Sequence, residues 1–318
     1  MPVATPAKYK LRYSLKDIHD GSLVSTVKFS PDGLKFATCC SAGSIKIWSS
    51  QTGELLTTLR GHNDGISDIA FSANNEYLAS GSDDLTIRIW DLKFEETLKL
   101  LKNHTYHITC LQFDKRSRIL ISGSSDENIR VWDCKRGESM RTLSAHSDPV
   151  SSIDLSFDDT IIVSGSYDGL IRLFDTETGG CLKTLIYDKE GSSFPISYVK
   201  FSPNSKFVLS SSLDGVLRLW DYMNNKVVKT YKGINNSPVA EKFSLGTNFI
   251  TFNNELMINS GDERGNLVFW DLQSQEILFT LEASGKSSPI MNTDSFNNGQ
   301  FLVSVSLDGE LCVWDYVS

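Results

Sequence analysis

One aromatic position recurs along the whole chain at a nearly constant interval. Seven short segments with strand-like alternation each end in Trp or Phe, and the intervals between these closing aromatics are 42, 42, 42, 46, 50 and 44 residues. A period of about 40 to 45 residues built from short strands is typical of four-stranded units arranged around an axis. The closing aromatics are Trp48, Trp90, Trp132, Phe174, Trp220, Trp270 and Trp314. All six tryptophans of the chain therefore occupy one position of the repeat.

The residues between the aromatics have the length and alternation of β-strands. The runs VSTVKFS, ISDIAFS and VSSIDLS alternate small polar and branched apolar residues, and FATCC, YLASGS and IIVSGS follow after a turn. No stretch shows sustained helical periodicity. The seven units predict an all-β, seven-bladed propeller over residues 9–318, preceded by a short tail over residues 1–8.

Ser, His and Asp recur together inside the units. A hydroxyl lies ten residues before every closing aromatic, an Asp lies six before it in five units, and a His lies 28 before it in units two to four. An active site is needed once, whereas a buried polar network is needed in every blade, so we predict a structural network and no catalytic residue. Its predicted members are His62, Ser80, Asp84, Trp90, His104, Ser122, Asp126, Trp132, His146, Ser164 and Asp168.

The charge balance narrows the classes of partner. The 318 residues carry 31 Lys and Arg against 39 Asp and Glu, a net charge of −8, which argues against direct nucleic-acid binding. The densest basic run, residues 115–118, is interpreted as solvated surface charge. No apolar run approaches the ~20 residues that span a bilayer and no secretory signal is visible, so we expect an intracellular chain without a membrane partner. The six cysteines form no C-x-x-C pair, and the sequence predicts free thiols, no metal and no cofactor.

The beginnings and ends of the repeats resemble those of the WD-repeat (WD40) family. Gly61-His62 begins a unit, and Asp follows the closing aromatic in six of the seven units, as in Trp90-Asp91 and Trp132-Asp133. The resemblance covers about residues 9–318 and implies a WD40 propeller whose last blade takes its outer strand from residues 9–15. Unit one departs from the pattern with Ala42, unit six departs with Arg264, and units five to seven lack the His. We expect those blades to be looser or to be held by partners.

Two runs show a closer resemblance. AHSDPVSSIDLSFDDTIIVSGSYDGLIRLFDTETGGCLKTLI (145–186) and YVKFSPNSKFVLSSSLDGVLRLWDY (198–222) are similar to the WD-repeat subunit of COMPASS-type histone H3 lysine-4 methyltransferase complexes, in its fungal form. The resemblance implies a non-catalytic nuclear scaffold that bridges the catalytic SET-domain subunit and a second WD-repeat subunit. Contact with the histone H3 tail is expected to be indirect.

The same resemblance implies a cleft between blades five and six that receives an acidic, apolar segment of the second WD-repeat subunit. The matching positions are Asn204, Phe207, Leu219, Lys229, Phe243, Leu245 and Gln273. The amides would bond the partner's backbone, Lys229 would meet its acidic side chains, and the apolar residues would bury its aliphatic ones. The alternative is that the apolar positions are blade core.

A second candidate surface is the mouth of the central channel. Small hydroxyl residues 23 positions before the closing aromatics should ring this mouth, and the resemblance adds one carboxylate. The candidates are Ser25, Ser67, Asp83, Thr109, Ser151 and Ser197. In the metazoan family member two phenylalanines grip an arginine here, and Thr109 and Ala240 stand at the matching positions, with Ser125 for a third aromatic. Arginine recognition is therefore not expected, and the hydroxyls alternatively only fit a crowded axis.

Two other functional classes stay open. A substrate-recognition subunit of a ubiquitin ligase, or a signalling scaffold, would use the channel mouth as its main surface. An enzyme built on a propeller would carry one acid and base cluster that breaks the repeat, and the sequence offers none.

Overall fold

The computed structural model describes residues 8–187, 193–252, 255–285 and 287–317. These residues form seven antiparallel sheets of four strands each, so the seven-bladed propeller is confirmed. The short alternating runs of the sequence become the strands, and the Gly, Asn, Asp and Ser clusters between them become turns.

The described residues form 28 strands. In chain order they are β1 (Tyr9–Leu15), β2 (Val24–Phe29), β3 (Lys35–Cys40), β4 (Ser44–Ser49), β5 (Leu55–Arg60), β6 (Ile66–Phe71), β7 (Tyr77–Ser82), β8 (Thr86–Asp91), β9 (Glu96–Lys102), β10 (Ile108–Phe113), β11 (Ile119–Ser124), β12 (Asn128–Asp133), β13 (Glu138–Ser144) and β14 (Val150–Leu155). They continue as β15 (Ile161–Ser166), β16 (Leu170–Asp175), β17 (Cys181–Ile186), β18 (Ile196–Phe201), β19 (Val208–Ser212), β20 (Val216–Asp221), β21 (Lys226–Tyr231), β22 (Thr247–Phe252), β23 (Glu255–Gly261), β24 (Asn266–Asp271), β25 (Ile277–Glu282), β26 (Ile290–Phe296), β27 (Phe301–Ser306) and β28 (Leu311–Tyr316).

Six blades are built from four consecutive strands, and the seventh is built from both ends of the chain. Blade 1 has the order β2-β3-β4-β5, and blades 2 to 6 repeat this order. Blade 7 has the order β26-β27-β28-β1, with Tyr9 opposite Tyr316 and Leu15 opposite Leu311. The predicted closure by the N-terminal strand is therefore confirmed, and it leaves no open blade in the ring.

The strand order gives the disc two distinct faces. Connections between blades, such as residues 61–65, and turns between second and third strands, such as residues 83–85, lie on what we call the mouth face. Turns between first and second strands, such as residues 30–34, and between third and fourth strands, such as residues 50–54, lie on the opposite face. Every side chain can therefore be placed by its position in the repeat.

The core consists of apolar layers between neighbouring blades. One layer joins Ile45 and Leu59 of blade 1 to Ile69, Leu78 and Trp90 of blade 2, all of them buried. Second-strand glycines permit this close packing, since a Cβ added at Gly123 would lie 2.7 Å from Val150 Cγ1. Each blade therefore depends on its neighbours for its stability.

The described residues contain no helix long and apolar enough to cross a membrane. Within those same ranges, no group of three or more His, Cys, Asp or Glu side chains could hold a metal ion. All six cysteines, which the structure describes, are free thiols.

Candidate protein-binding sites

The recurring Ser, His and Asp side chains form one chain of hydrogen bonds inside each of blades 2 to 4. In blade 3, Trp132 Nε1 donates to Ser122 Oγ at 2.8 Å, Ser122 Oγ lies 2.7 Å from His104 Nε2, and His104 Nδ1 lies 2.8 Å from Asp126 Oδ2. A carboxylate only accepts, so Nδ1 carries the proton and the Ser hydroxyl donates to Nε2. Ser122 is fully buried and its Oγ also accepts from Trp132, so this hydroxyl is closed to a substrate.

Blades 2 and 4 repeat this geometry. Trp90 Nε1 donates to Ser80 Oγ at 2.8 Å, and the His62 ring lies 2.8 Å from Ser80 Oγ and 2.9 Å from Asp84 Oδ2. The corresponding contacts in blade 4 are His146 to Ser164 at 2.8 Å and His146 to Asp168 at 2.9 Å. Phe174 replaces Trp as the closing aromatic of blade 4, and its side chain has no N–H group that needs a hydrogen-bond acceptor.

The carboxylates are held ionised. Burial would raise the pKa of Asp84, but hydrogen bonds from the Thr86 hydroxyl, the Asn63 amide and the His62 ring outweigh burial and lower that pKa to about 2. The pKa values of Asp126 and Asp168 are lowered by the same kinds of hydrogen bond, chiefly from their His rings, against burial. Such carboxylates stabilise the turns that they cap and are poorly suited to take up a proton in catalysis.

Blade 1 contains a network residue that the spacing missed. His19 lies 29 residues before Trp48, one more than the spacing in blades 2 to 4, and its Nε2 lies 2.8 Å from Thr38 Oγ1. Trp48 Nε1 donates to the same oxygen at 3.0 Å. Ser44 Oγ lies 3.4 Å from His19 Nδ1 in place of an Asp. If the spacing between the His and the closing aromatic is allowed to vary by one residue, the sequence also predicts His19.

The other departing blades use different bonds. In blade 5, the Arg218 guanidinium forms an ion pair with Asp214 and stacks over the Tyr187 ring at 3.9 Å. In blade 6, Trp270 Nε1 donates to the backbone oxygen of Lys232 at 2.8 Å. These blades keep their closing aromatics buried without the His.

The small hydroxyl residues line a cavity of about 400 Å³ at the channel mouth. Ser25, Ser67, Thr109, Ser151 and Ser197 all border it, and Ser67 Oγ donates to Asp83 Oδ1 at 3.2 Å. Most of these hydroxyls are already bonded to backbone. Thr109 Oγ1 donates to Val150 O at 2.5 Å and Ser151 Oγ donates to Ile196 O at 2.6 Å. Their geometry favours a role in joining neighbouring blades at the axis.

Two positions at the mouth differ from the expectation. Ala240 is buried in the connection before β22 and does not border the cavity, whereas the residue 23 positions before Trp270 is Thr247, at the start of that strand. Tyr167, which the spacing did not select, borders the cavity and is 42% exposed. The aromatic residues that border the cavity are Tyr167 and Tyr198.

Charged side chains line the channel below the mouth. Asp68 accepts from the Leu111 amide at 2.9 Å and Asp154 accepts from the Phe201 amide at 2.8 Å, and in each case the donor belongs to the next blade. Burial would lower the pKa of Lys28, but Tyr198 and the surrounding carboxylates, Asp68 among them, raise it. The hydrogen bonds from these amides to the carboxylates join adjacent first strands around the axis.

The predicted cleft between blades 5 and 6 is partly assembled. Phe207 and Leu219 lie in one apolar cluster with Phe249 and Leu272, which belong to blade 6. Lys229 Nζ crosses between the blades and donates to Leu272 O at 2.9 Å, to Gln273 O at 2.6 Å and to Gln273 Oε1 at 3.0 Å. Asn204 is exposed in the adjacent turn.

The structure corrects the positions of Phe243 and Leu245. Both lie in the connection that follows β21 rather than in a strand, and the Phe243 amide donates to Glu263 Oε1 at 3.1 Å on the mouth face. Phe207 precedes β19 and lies on the opposite face. The segment KFSL (242–245) imitates the first strand of other units, such as VKFS in blade 1, but the strand forms over Thr247–Phe252. Phe249 is thus the blade 6 aromatic that packs near Phe207.

Comparison with known proteins agrees with this architecture. A family model described as the WDR5 beta-propeller domain matches residues 15–315. The chain belongs to the WDR5-type β-propeller family of WD-repeat proteins. Propellers of this family are in general non-catalytic scaffolds for protein–protein interaction.

Individual relatives match over short segments. WD repeat-containing protein 1 of Bos taurus is 38% identical over 79 residues, which cover 24% of this chain and 13% of the relative. Autophagy-related protein 16 of Arabidopsis thaliana is 33% identical over 89 residues, covering 25% of this chain and 18% of the relative. A guanine nucleotide-binding protein subunit beta of Arabidopsis thaliana is 37% identical over 67 residues, covering 20% of this chain and 18% of the relative. The matched segments therefore span less than a fifth of each of these relatives.

Proposed function

We propose that this WD-repeat propeller is a non-catalytic scaffold subunit of a COMPASS-type histone H3 lysine-4 methyltransferase complex and acts in the nucleus. The observation that carries the proposal is the match of the WDR5-type family model over residues 15–315. The similarity of residues 145–186 and 198–222 to the WD-repeat subunit of such complexes supports the same assignment. Its partners would be the catalytic SET-domain subunit and a second WD-repeat subunit.

The geometry suits a scaffold that holds two partners at once. The channel mouth and the contact between blades 5 and 6 lie on opposite faces of a closed ring. A protein bound at one face leaves the other accessible, and the ring fixes the distance between them. We assign the second WD-repeat subunit to the surface formed by Asn204, Phe207, Lys229, Phe249 and Gln273.

Each residue of that surface has a defined role in the proposal. Phe207 and Phe249 are both partly buried, so each ring leaves some apolar surface for the aliphatic side chains of a partner segment. Lys229 holds its positive charge between the blades through three oxygen acceptors and favours an acidic segment. The exposed amide of Asn204 can bond an extended backbone.

Purification of the tagged protein from its own cells tests the proposal. The Phe207→Ala/Phe249→Ala double variant should still bring down the SET-domain subunit but should lose most of the second WD-repeat subunit. Loss of two aromatic contacts at an interface costs about 1 to 3 kcal/mol for each residue. Methylation of histone H3 by the eluate should fall in parallel.

The Phe243→Ala variant is the matched control, since the same change is made on the mouth face. It should leave both partners bound. Recovery of ubiquitin-ligase or signalling components in place of a methyltransferase would contradict the proposed complex. Equal loss of the second WD-repeat subunit in both variants would contradict the assigned surface.

A further inference from the structure

A large open groove lies between blades 3 and 4 on the opposite face. Its volume is about 1110 Å³, and it is bordered by the turn over residues 114–118, by Met140 and Arg141 of β13, and by the turn over residues 157–160. This groove is separate from the contact between blades 5 and 6 and from the channel mouth. Nothing in the proposed scaffold function uses it.

The blade 3 wall of the groove departs from the repeat. In four other blades the residue 18 positions before the closing aromatic is a Ser whose Oγ accepts an amide five residues on, as Ser30 accepts from Lys35 at 3.0 Å. That Ser also bonds an Asp or Asn two residues on, as Ser30 bonds Asp32 at 2.6 Å. In blade 3, Asp114 replaces the Ser and caps the turn alone, accepting from the Arg118 and Ile119 amides at 2.6 and 2.9 Å.

Because Asp114 caps the turn by itself, the position two residues later does not need a capping side chain and carries a cation. The position occupied by Asp32, Asn74, Asp158 and Asn204 in other blades holds Arg116 in blade 3. Arg116 and Lys135 are exposed at this wall, and Arg118 is exposed beside them and forms an ion pair with Asp114 at 3.8 Å. In a chain of net charge −8, a wall that carries several exposed cations departs locally from the overall charge.

The blade 4 wall is acidic, but its carboxylates are largely engaged. Asp158 accepts from the Ser156 and Thr160 hydroxyls at 2.7 and 2.8 Å, and Asp175 accepts from the Thr178 hydroxyl at 2.7 Å. Asp159 accepts from the Lys115 amide at 3.1 Å. These bonds stabilise the turns of blade 4. On the blade 3 wall, Arg116 and Lys135 form no ion pair with any residue that the structure describes, so their charge is available to a ligand.

An unpartnered hydroxyl and apolar side chains also border the groove. Thr176 is 8% exposed, and its buried Oγ1 has no hydrogen-bond partner, whereas Ser50 at the same repeat position donates to Gly33 O at 2.6 Å. Phe157 and Met140 are 67% and 51% exposed. A buried hydroxyl without a partner costs free energy that a ligand's polar group can recover.

We propose that this groove binds an acidic segment of a partner protein in extended conformation. The segment's carboxylates would pair with Arg116 and Lys135. A backbone group would bond Thr176 Oγ1, and apolar side chains would cover Phe157 and Met140. A nucleic acid fits less well, because its continuous row of phosphates would also face the carboxylates of the blade 4 wall, whereas a peptide can direct its acidic side chains to the blade 3 wall alone. The inference is independent of the methyltransferase assignment.

A peptide selection followed by a binding measurement tests the proposal. A displayed library of random dodecapeptides is selected on the wild-type protein, and enriched peptides are synthesised with a fluorophore for anisotropy titration. Selection should enrich peptides that combine Asp or Glu with apolar residues. The Arg116→Glu/Lys135→Glu variant should weaken their binding at least tenfold, and Thr176→Val should weaken it a few-fold.

The Lys93→Glu/Lys102→Glu variant is the control, with the same change in net charge at two exposed lysines away from the groove. It should change the affinity less than twofold. Failure to enrich acidic peptides, or equal loss in both double variants, would overturn the proposal. So would peptides that depend on Phe207 and Phe249 instead, or tighter competition by an oligonucleotide of matched charge.

Discussion

At the scale of single residues, one buried oxygen decides how each blade holds its closing aromatic. Ser122 Oγ accepts from Trp132 and contacts His104, and both of those residues are buried. Ser260 stands at the same repeat position in blade 6, but its Oγ donates to Gly261 O at 2.9 Å, while Trp270 bonds a backbone oxygen elsewhere. A Ser at the same repeat position therefore forms hydrogen bonds to two buried side chains in blade 3 and bonds a backbone oxygen in blade 6.

The Ser122→Ala variant should be about 2 to 4 kcal/mol less stable than the wild type, because the Trp132 N–H and the His104 ring each lose a buried partner. Ser260→Ala should cost about 1 kcal/mol or less. Urea denaturation of both variants measures the difference. Equal losses would show that the network in blade 3 is not cooperative.

At the scale of the element, blade 1 shows why a departing sequence need not give a loose blade. Its His arises from the connection after β1, one residue out of phase, and still reaches Thr38. The pKa of His19 is lowered to about 4, first by burial and then by the nearby Lys46. The ring is therefore neutral in the folded protein while the unfolded chain binds a proton near pH 6.5.

This His predicts an acid-sensitive contribution from blade 1. The stabilisation is complete above about pH 6.5 and is lost as the pH falls from there to about 4, by on the order of 2 to 3 kcal/mol. The His19→Gln variant should flatten the dependence of unfolding free energy on pH in that window. Ser44→Ala retains the titrating ring and should preserve the slope. An unchanged slope in His19→Gln would exclude this residue as its source.

At the scale of the whole molecule, stability depends on joining the two ends of the chain. Tyr9 of β1 is buried in blade 7, stacks on Phe269 at 5.4 Å and donates its hydroxyl to Gly299 O at 2.5 Å. Phe269 belongs to blade 6, so the residue that closes the ring also joins two blades. The hydrogen bond joins two residues that are 290 positions apart in the sequence, so it cannot form until the ring is nearly complete.

The Tyr9→Ala variant should be about 3 to 5 kcal/mol less stable, as expected for removal of a large buried aromatic side chain. Tyr9→Phe, which loses only the hydroxyl, should cost about 1 kcal/mol. The exposed neighbour Lys10 provides the control, and Lys10→Ala should stay within about 0.5 kcal/mol of the wild type. Thermal and urea unfolding are monitored by tryptophan fluorescence. If the Tyr9→Ala variant opens the ring locally at blade 7, an early, partial transition should precede the main unfolding transition.

The sequence by itself determined the number of blades, the closing aromatics and the networks of blades 2 to 4, because these features repeat and each blade must satisfy the same buried groups. It also indicated the closing strand through a family resemblance. It misplaced Phe243 and Leu245, since a four-residue run in a long connection imitated a strand and only packing against blades 5 and 7 selected Thr247–Phe252. The groove between blades 3 and 4 was likewise decided by tertiary structure. From the sequence alone, residues 115–118 are interpreted as ordinary surface charge. The fold places them in one groove with Phe157, Met140 and the unpartnered hydroxyl of Thr176. The sequence could not identify this groove, because its residues come from two blades and no pattern within one blade marks it.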